Sequence, residues 1–580
     1  MIGLANCYGS GGRNNASQLS QQIQKLDEKS ERWGIDWDRP LQQLRDTIRE
    51  EMHTSHSNVQ SALDQLKERF SREENREPPV HAATMGSDDK SAPDEVSITE
   101  AMQHTLSSLV KDVAAAIPAL LGTVTIRQQS ERALSTLYFD DMRLRQENIK
   151  PAHCETYTWI FRHRTPEGIP TYFADWLKTG DGIFWIRGKA GSGKSTLMKF
   201  IVQHETTIQE LRHWAGEGHL VIGGHFFWNS GSKLQMSQIG LLRSLLFDIL
   251  RHCPDEIPEL EKPGGPLHVG LDSTNGWTKE ELLLQALEKL AKRRLSKRFC
   301  FFIDGLDEYD GEHDQLIGML EKLTLLKNVK VCVSSRPWTC FIDAFGGNHQ
   351  RMLKLEDLTI GDIRQYVQDS FDHHLRLRKR PKGQTDALYD SLVEDVVQRA
   401  QGVFLWVFLV VRSLKSGLAY ADRLSDLQRR IETLPPDLES FFRHILQSVD
   451  EFYREQSSEI FLLSAHATGP LPAVIFSAMD EIDENPSELL SLSLTTQNLG
   501  DVEEWRDCMA RRLDARTKGL LEMTLGNDGE AGDHTHLRQH LQLRVEFLHR
   551  TVHEFLIAPD MERMLREKCR PNFNPSERLC

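Results

Sequence analysis

Apolar residues between positions 150 and 350 follow two alternating patterns. Short runs of consecutive apolar residues, typical of strands buried on both faces, are separated by stretches whose apolar residues recur every three or four positions. The runs predict four strands, at 183–187, 220–228, 299–303 and 329–333. Strands that alternate with amphipathic helices build a parallel sheet covered by helices on both faces. The fold class predicted for this part of the chain is therefore α/β.

The flanking parts of the chain are helical in pattern. Apolar residues spaced as one helical face run through residues 18–72, and a Pro- and Asp-rich stretch at 73–96 predicts a linker. Beyond Leu353 the pattern is mainly helical to about Val449, and a mixed segment follows. The longest apolar run, 403–411, is too short to span a membrane and predicts a buried helix.

Composition narrows the kinds of partner that the protein binds and the cellular compartment in which it is found. The net charge of −15 over 580 residues argues against nucleic acid as a partner, because nucleic-acid binding requires neutralisation of phosphates. The nine cysteines form no C-x-x-C pair, which indicates reduced thiols in a cytoplasmic protein. The first ten residues lack the basic and apolar parts of a signal peptide, and no stretch predicts a transmembrane segment.

A glycine-rich loop follows the first predicted strand and precedes a predicted helix. It fits the phosphate-binding pattern G-x-x-x-x-G-K-[ST] at every specified position. Its residues, with the first residue of the helix after them, are Gly188, Lys189, Ala190, Gly191, Ser192, Gly193, Lys194, Ser195 and Thr196. Backbone N–H groups of such a loop surround phosphate oxygens, Lys194 reaches the β- and γ-phosphates, and the Ser195 hydroxyl ligates Mg²⁺. The sequence predicts a site for ATP or ADP with Mg²⁺.

Carboxylates follow a second buried strand. Asp304 ends the apolar run 299–303, where the strand tip meets the predicted phosphate site, and is expected to hold Mg²⁺ directly or through water. Asp307 or Glu308 could then orient the attacking water as a general base, so that Asp307, Glu308 and Lys194 are the candidate catalytic residues. The alternative is an acidic cluster at a helix start, where carboxylates are common.

An arginine follows the fourth strand. Arg336 comes directly after the run 329–333 and two serines, so we expect it at the same edge of the sheet as the loop. A guanidinium there could pair with the γ-phosphate of ATP and lose that partner in ADP. The alternative for Arg336 is an ion pair with an acidic side chain.

Three motifs together resemble those of NACHT-type signal-transduction ATPases of the STAND class. They are the loop at 188–195, Asp304-Gly305-Leu306-Asp307-Glu308 and Ser334-Ser335-Arg336-Pro337. Flanking segments are similar to the fungal branch of this class, at 142–161, 173–177, 240–246, 353–359 and 402–407. The resemblance covers roughly residues 134–556.

The resemblance implies a switch and further parts of the site. The segment 547–556 is similar to the winged-helix segment of this class, in which the histidine matching His549 contacts the β-phosphate of ADP; a core histidine is the alternative. Exchange of ADP for ATP would open the domains and allow homo-oligomerisation, and slow hydrolysis would reset the switch. The N-terminal region would bind a protein partner. A role in fungal self/non-self recognition or regulated cell death is also implied.

The chain departs from the family pattern in two places. In many members of this family, a G-x-P motif in the helical domain places its proline near adenine, whereas this chain has Gly402-Val403-Phe404 at that place. No sensor repeats precede Cys580, so the resemblance does not identify the ligand that triggers the switch. Two other functions remain as alternatives: a P-loop phosphotransferase acting on a small acceptor, and a nucleotide-binding scaffold that does not cycle. A DNA regulator using the winged helix fits poorly with the acidic composition.

These observations predict six regions. They are an N-terminal helical or coiled-coil region at 1–72, a disordered linker at 73–96, a helical segment at 97–150, the NTPase domain at 151–352, a helical domain at 353–450 and a winged-helix-like domain at 451–580.

Overall fold

The computed structural model describes the greater part of the chain from residue 129 onward. The described residues are 129–154, 156–262, 265, 267, 280–293, 297–376, 384–420, 422–467, 469–484, 499–525, 543–571 and 573–579. The predictions for 1–72, for the linker 73–96 and for most of 97–150 therefore lie outside the described residues.

A five-stranded parallel sheet forms the centre of the nucleotide-binding part. Its strands are β1 Gly182–Arg187, β2 His219–Phe226, β3 Lys297–Asp304, β4 Val329–Ser335 and β5 Met352–Lys354. Their order across the sheet is β2-β3-β4-β1-β5, with parallel pairing throughout. The four predicted strands and the α/β class are confirmed. The fifth strand was missed because its three residues form no run of consecutive apolar residues.

Helices precede β1 and separate the later strands along the chain. From residue 144 to residue 345 they are α1 Leu144–Asn148, α2 Phe173–Lys178, α3 Lys194–Gln203, α4 Glu205–Ala215, α5 Gln238–His252, α6 Ile257–Glu261, α7 Glu280–Arg293, α8 His313–Thr324 and α9 Thr339–Phe345. Phe184 and Ile186 of β1 pack in one core with Leu197 of α3. Trp185, which lies between them, points to the opposite face, and its ring lies 6.0 Å from that of Phe345 in α9. Helices thus cover both faces of the sheet.

The register of the strands brings their carboxyl ends to one edge. Arg187 at the end of β1 pairs with Ser335 at the end of β4, and Phe226 of β2 pairs with Asp304 of β3. Because β4 lies between β1 and β3, the segments that follow these three strands emerge side by side. This edge of the sheet is therefore the place where a glycine loop and strand-tip carboxylates can meet.

A helical region and a small antiparallel sheet follow. The helices are α10 Leu355–Leu358, α11 Ile360–Arg376, α12 Gln384–Ala400, α13 Phe404–Ala419, α14 Leu424–Thr433, α15 Leu438–Gln447, α16 Arg454–His466, α17 Ala473–Glu484, α18 Leu499–Thr517, α19 Arg550–Leu556, α20 Pro559–Arg566 and α21 Pro575–Leu579. The strands are β6 Leu471–Pro472, β7 Leu521–Leu525 and β8 Leu543–Phe547, in the order β6-β8-β7. Strand β8 leads through Leu548 and His549 into α19.

The apolar run 403–411 lies in α13. Trp406, Val407 and Val410 are fully buried there, as the pattern predicted, and they belong to the core that these helices share with β7 and β8. Of the helices in the described part of the chain, none has the length and apolar character needed to cross a membrane.

Contacts divide the chain into two compact units. Of the described residues, 129–136 and 249–262, with Gly265 and Leu267, belong to one unit. All the others, and with them every residue of the candidate site, belong to the second unit.

Candidate nucleotide-binding site

The glycine loop turns tightly between β1 and α3. Gly191 and Gly193 have φ angles of +70° and +94°, which side-chain-bearing residues rarely adopt. A Cβ at Gly193 would lie 2.4 Å from the Tyr157 hydroxyl oxygen, and one at Gly191 would lie 2.8 Å from Leu405 Cβ. Helix α3 begins at Lys194, so its unpaired N–H groups face the pocket that the loop borders. This geometry fits an anionic phosphate group.

The ammonium group of Lys194 is held inside the loop. Its Nζ donates to the carbonyl oxygens of Gly188 and Lys189, at 2.8 and 2.9 Å. Burial lowers the pKa of Lys194 to about 8, and the nearby Arg336 and Arg550 act in the same direction. The charge of Lys194 is therefore sensitive to pH in a range that experiments can reach.

Nucleotide affinity is expected to fall as the pH rises through about 8. The protonated form of Lys194 binds phosphate, and one pH unit above its pKa only about a tenth of the molecules carry that charge. The affinity for ADP should be about 10-fold lower at pH 9 than at pH 7, measured by equilibrium titration. Lys194→Arg keeps its charge and should show no such dependence; a wild-type affinity equal at both pH values would contradict the assignment.

Asp304 lies at the tip of β3 among hydroxyl groups. Ser334 Oγ donates to Asp304 Oδ1 and accepts from Gly305 N at 3.0 Å, which fixes the carboxylate. Burial raises the pKa of Asp304, although the hydroxyls of Ser195 and Ser334 act against this rise. Its second oxygen, Oδ2, is buried and has no hydrogen-bond partner among the described residues.

The environment of Asp304 fits a bound Mg²⁺. This cation binds through one or two carboxylates together with phosphate oxygens and waters, and does not require a cluster of protein ligands. Accordingly, the described residues contain no group of three or more His, Cys, Asp or Glu side chains suited to a metal. Asp304 and Ser195 both line the pocket and would supply the protein ligands.

Asp307 and Glu308 are held by an arginine from the C-terminal part of the chain. Arg550 Nη2 lies 2.6 Å from Asp307 Oδ2, and Arg550 Nη1 lies 2.7 Å from Glu308 Oε1. Arg336 Nε lies 3.2 Å from the same Asp307 oxygen, and its Nη2 donates to Glu554 of α19 at 2.8 Å. The five side chains form one charged network. Arg336 is therefore paired with acidic side chains, the arrangement that the sequence left open as an alternative.

The network is largely closed to solvent. The side chains of Arg550, Asp307 and Glu308 are 5%, 3% and 6% exposed. Burial acts to raise the pKa of Asp307, but Arg550, Lys194 and Arg336 together hold it below its usual range. A carboxylate bound in this way is a weak base, so the network restrains both candidate general bases.

His549 lies at the pocket as the N-cap of α19. Its Nδ1 accepts a hydrogen bond from Thr551 N at 3.1 Å. Burial lowers the pKa of His549 to about 3, with the cations Arg145, Lys194 and Arg336 as further causes. The ring is therefore neutral near pH 7, and because Nδ1 accepts, the proton resides on Nε2. The His549 Nε2–H group is a hydrogen-bond donor that suits a phosphate oxygen.

Aromatic side chains also line the pocket. The cavity has a volume of about 410 Å³, and the rings of Tyr366 and Phe404 meet edge to face in its wall, 6.3 Å apart. Phe408 and His153 also line it. Phe404 belongs to Gly402-Val403-Phe404, the segment that replaces the G-x-P motif. This segment therefore brings an aromatic ring to the pocket in place of the proline that packs near adenine.

The structure brings the predicted site residues together at one pocket. Those that line it are Ala190, Gly191, Gly193, Lys194, Ser195, Thr196, Asp304, Asp307, Glu308, Arg336 and His549. Gly188, Lys189 and Ser192 complete the loop. Sequence reasoning missed Arg145, Arg550 and Glu554. Arg550 directly follows His549 and lies four residues before Glu554, but nothing in that segment indicates a partner 243 residues away.

Two sequence families match parts of the chain. A family described as Nephrocystin 3, N-terminal, matches residues 155–336, and a domain of unknown function matches residues 448–580. Each match covers less than half of the chain. No curated protein sequence matches the chain significantly.

Solved structures show a distant likeness. An ORC1 protein of Aeropyrum pernix in complex with DNA is 11% identical, with a TM-score of 0.25 over 66% of this chain and 88% of that one. A RuvB protein of Thermotoga maritima is 15% identical, with a TM-score of 0.22 over 52% and 74%. PCH-2 of C. elegans is 11% identical, with a TM-score of 0.23 over 53% and 70%. TM-scores this low carry no inference about function or partners.

The class of this part of the chain follows from its own geometry. A phosphate loop joins strand β1 to helix α3, and Asp304 ends the parallel strand β3, which β4 separates from β1, at the same edge of the sheet. Together with the family match at 155–336, this arrangement defines a P-loop NTPase domain that binds nucleotide.

Proposed function

We propose that this protein is an ATP/ADP-dependent signal-transduction switch of the NACHT/STAND type. The observation that carries the proposal is the Arg550 network. Arg550, one residue after His549, contacts both candidate general bases of the NTPase domain, at 2.6 and 2.7 Å. The C-terminal segment is thus bound to the two carboxylates that we propose act on the terminal phosphate, which supports a coupling between nucleotide state and domain closure.

A switch requires that its two nucleotides prefer different conformations. In the closed conformation, His549 offers Nε2–H to the phosphates, and Arg336 is engaged by Asp307 and Glu554. A γ-phosphate would compete with these carboxylates for Arg336. ATP would therefore weaken the ion pair that joins Glu554 of α19 to Arg336 of the NTPase domain, whereas ADP would leave this ion pair intact.

Slow hydrolysis would reset the switch. Mg²⁺, held by Ser195 and Asp304, would neutralise charge on the phosphates. Release of Arg550 would free Asp307 and Glu308, and whichever of the two faces the attacking water would take its proton. Since Arg550 restrains both carboxylates in the closed form, we expect little hydrolysis before the C-terminal segment moves.

ADP release is expected to accelerate when His549 is replaced. His549→Asn keeps an acceptor for the N-cap of α19 but loses the Nε2–H donor. Loss of one hydrogen bond to a charged phosphate, about 1.5–3 kcal/mol, should speed ADP release by about 10- to 100-fold. The rate is measured with a fluorescent ADP chased by unlabelled nucleotide.

A second histidine on α19 provides the matched control. His553 Nε2 lies 3.1 Å from the carbonyl oxygen of Ala465, outside the nucleotide pocket. His553→Asn should change the ADP release rate by less than about 2-fold. An equal effect of the two variants, or no effect of His549→Asn, would show that His549 has a structural role and does not bind the phosphate of ADP.

The remaining parts of the proposal rest on the resemblance. The three-stranded sheet and the helices α16–α20 support a winged-helix-like domain at 451–580, and the helices α10–α15 support a helical domain at 353–450. We infer that the opened, ATP-bound form assembles into a homo-oligomer and that the N-terminal region binds a protein partner in the cytoplasm. A role in fungal self/non-self recognition or regulated cell death has only the resemblance as support.

A further inference from the structure

The short helix α1 is anchored on the NTPase domain from two sides. Arg143, which precedes it, donates to the Gly224 carbonyl at 3.1 Å and forms an ion pair with the buried Asp248. Lys199 of α3 donates to the carbonyl oxygens of Glu147 and Ile149, at 3.0 and 2.6 Å. These bonds tie α1 to the helix that carries the phosphate loop, so the side chains of α1 have fixed positions beside the pocket.

Arg145 of α1 lines the nucleotide pocket without an ion-pair partner. Its guanidinium carbon lies 5.7 Å from the centre of the Trp228 ring, which shields one face of the group from water. Arg145 Nε is buried and lacks a hydrogen-bond partner, and no carboxylate of the described residues pairs with the guanidinium. Burial lowers the pKa of Arg145, and the charges of Asp304 and Glu546 act against this effect.

A guanidinium with a buried N–H donor that lacks a partner is unfavourable. Burial of a charge costs free energy unless the charge is paired and hydrogen-bonded, and an arginine places five N–H donors in a planar fork. Phosphate oxygens match that fork in two-point contacts. An anion that enters the pocket would therefore find in Arg145 a donor set that is partly desolvated and held in place by the anchored helix α1.

The surroundings of Arg145 indicate which part of a nucleotide it faces. It acts electrostatically on Asp304, the proposed Mg²⁺ ligand, and on His549. Asp304 lies at the same edge of the sheet as the glycine loop, where the phosphates are expected, and His549 lines the same pocket. Unlike Arg336, which Asp307 and Glu554 engage, Arg145 is available in this conformation.

We propose that Arg145 is a phosphate-binding residue that recognises the terminal phosphate of a nucleoside triphosphate. The inference rests on the proposed function, because it needs the pocket to bind nucleotide. It assigns to α1 a part in distinguishing ATP from ADP. Arg145 would bind the γ-phosphate before Arg336 leaves its carboxylates, so that ATP can bind the closed form and then open it.

Equilibrium binding of Mg-ATP and ADP to the full chain tests the assignment. For Arg145→Gln we expect a loss of affinity for ATP of about 10- to 100-fold, the effect of one or two charge-assisted hydrogen bonds. The loss for ADP should stay below about 3-fold. Arg212→Gln is the control: Arg212 is an exposed arginine in the last turn of α4, and its replacement should change neither affinity.

The midpoint of thermal unfolding without nucleotide separates binding from packing. Because the guanidinium has no ion-pair partner among the described residues, Arg145→Gln should keep or raise this midpoint. A midpoint lowered by several degrees would show that Arg145 is a packing residue and would overturn the proposal.

The affinities distinguish failure of this inference from failure of the proposed function. If the wild-type chain binds ATP and Arg145→Gln binds it equally well, or loses ATP and ADP equally, the assignment of Arg145 to the terminal phosphate is wrong and the switch proposal stands. If the wild-type chain binds no nucleotide at all, both are overturned.

Discussion

Replacement of Lys194 by alanine is expected to reduce nucleotide affinity by at least about 100-fold. The ammonium group of Lys194 donates to two carbonyl oxygens of the loop, and we expect it to exchange them for phosphate oxygens when nucleotide binds. Hydrogen bonds to charged groups contribute about 1.5–3 kcal/mol each, so loss of two of them corresponds to at least this factor. Isothermal titration with ADP and ATP measures the change.

Lys322→Ala is the matched control for this substitution. Lys322 is an exposed lysine of α8 outside the pocket, and its replacement should leave both affinities within about 2-fold of the wild type. Among the described residues, Lys194 donates only to carbonyl groups, so the variant should also fold, which circular dichroism verifies. Unchanged affinity of a folded Lys194→Ala protein would refute the phosphate-loop assignment.

Replacement of Arg550 by methionine is expected to open the C-terminal segment. The substitution leaves Asp307, Glu308 and Glu554 with Arg336 as the remaining cation of the network. Breaking a buried ion pair by removing one partner typically destabilises a structure by about 3–5 kcal/mol, because a buried charge loses its compensation. We expect faster amide hydrogen exchange over 543–566, release of ADP and a higher rate of ATP hydrolysis per chain.

Two further variants make the Arg550 experiment specific. Arg443→Met removes an exposed ion pair with Asp560, 2.9 Å apart, and should have an effect below about 1 kcal/mol. Adding Asp307→Asn and Glu308→Gln to Arg550→Met removes the uncompensated charges and should restore most of the protection against exchange. If Arg550→Met affects exchange over 543–566 no more than Arg443→Met does, the network does not hold the segment.

The sequence was sufficient to predict the sheet and the groups at its carboxyl edge. The apolar runs before Gly188, Asp304 and Ser334 identify buried strands, and the rules of parallel sheets place the residues after these strands at one edge. These are local signals, since each run and the residue directly after it are contiguous. The short strand β5 carries no such signal.

The charged network could not be predicted from the sequence. Its pairs join Asp307 to Arg550 and Arg336 to Glu554, residues more than 200 positions apart, and no periodicity encodes such a distance. The sequence could indicate that Arg336 reaches the site, but not whether a phosphate or an acid would be its partner. For Arg145, the decisive property is the lack of a partner for its buried Nε, which only three-dimensional packing reveals.

The nucleotide carried by the freshly purified full chain is the most direct test of the switch proposal. The protein is denatured, and the supernatant is separated by anion exchange and quantified against the protein. We predict close to one ADP per chain and a monomeric elution profile, because His549, Arg550 and Glu554 hold the closed form. An empty site, together with fast hydrolysis of added ATP, would contradict the clamped switch and favour an ordinary ATPase or a phosphotransferase.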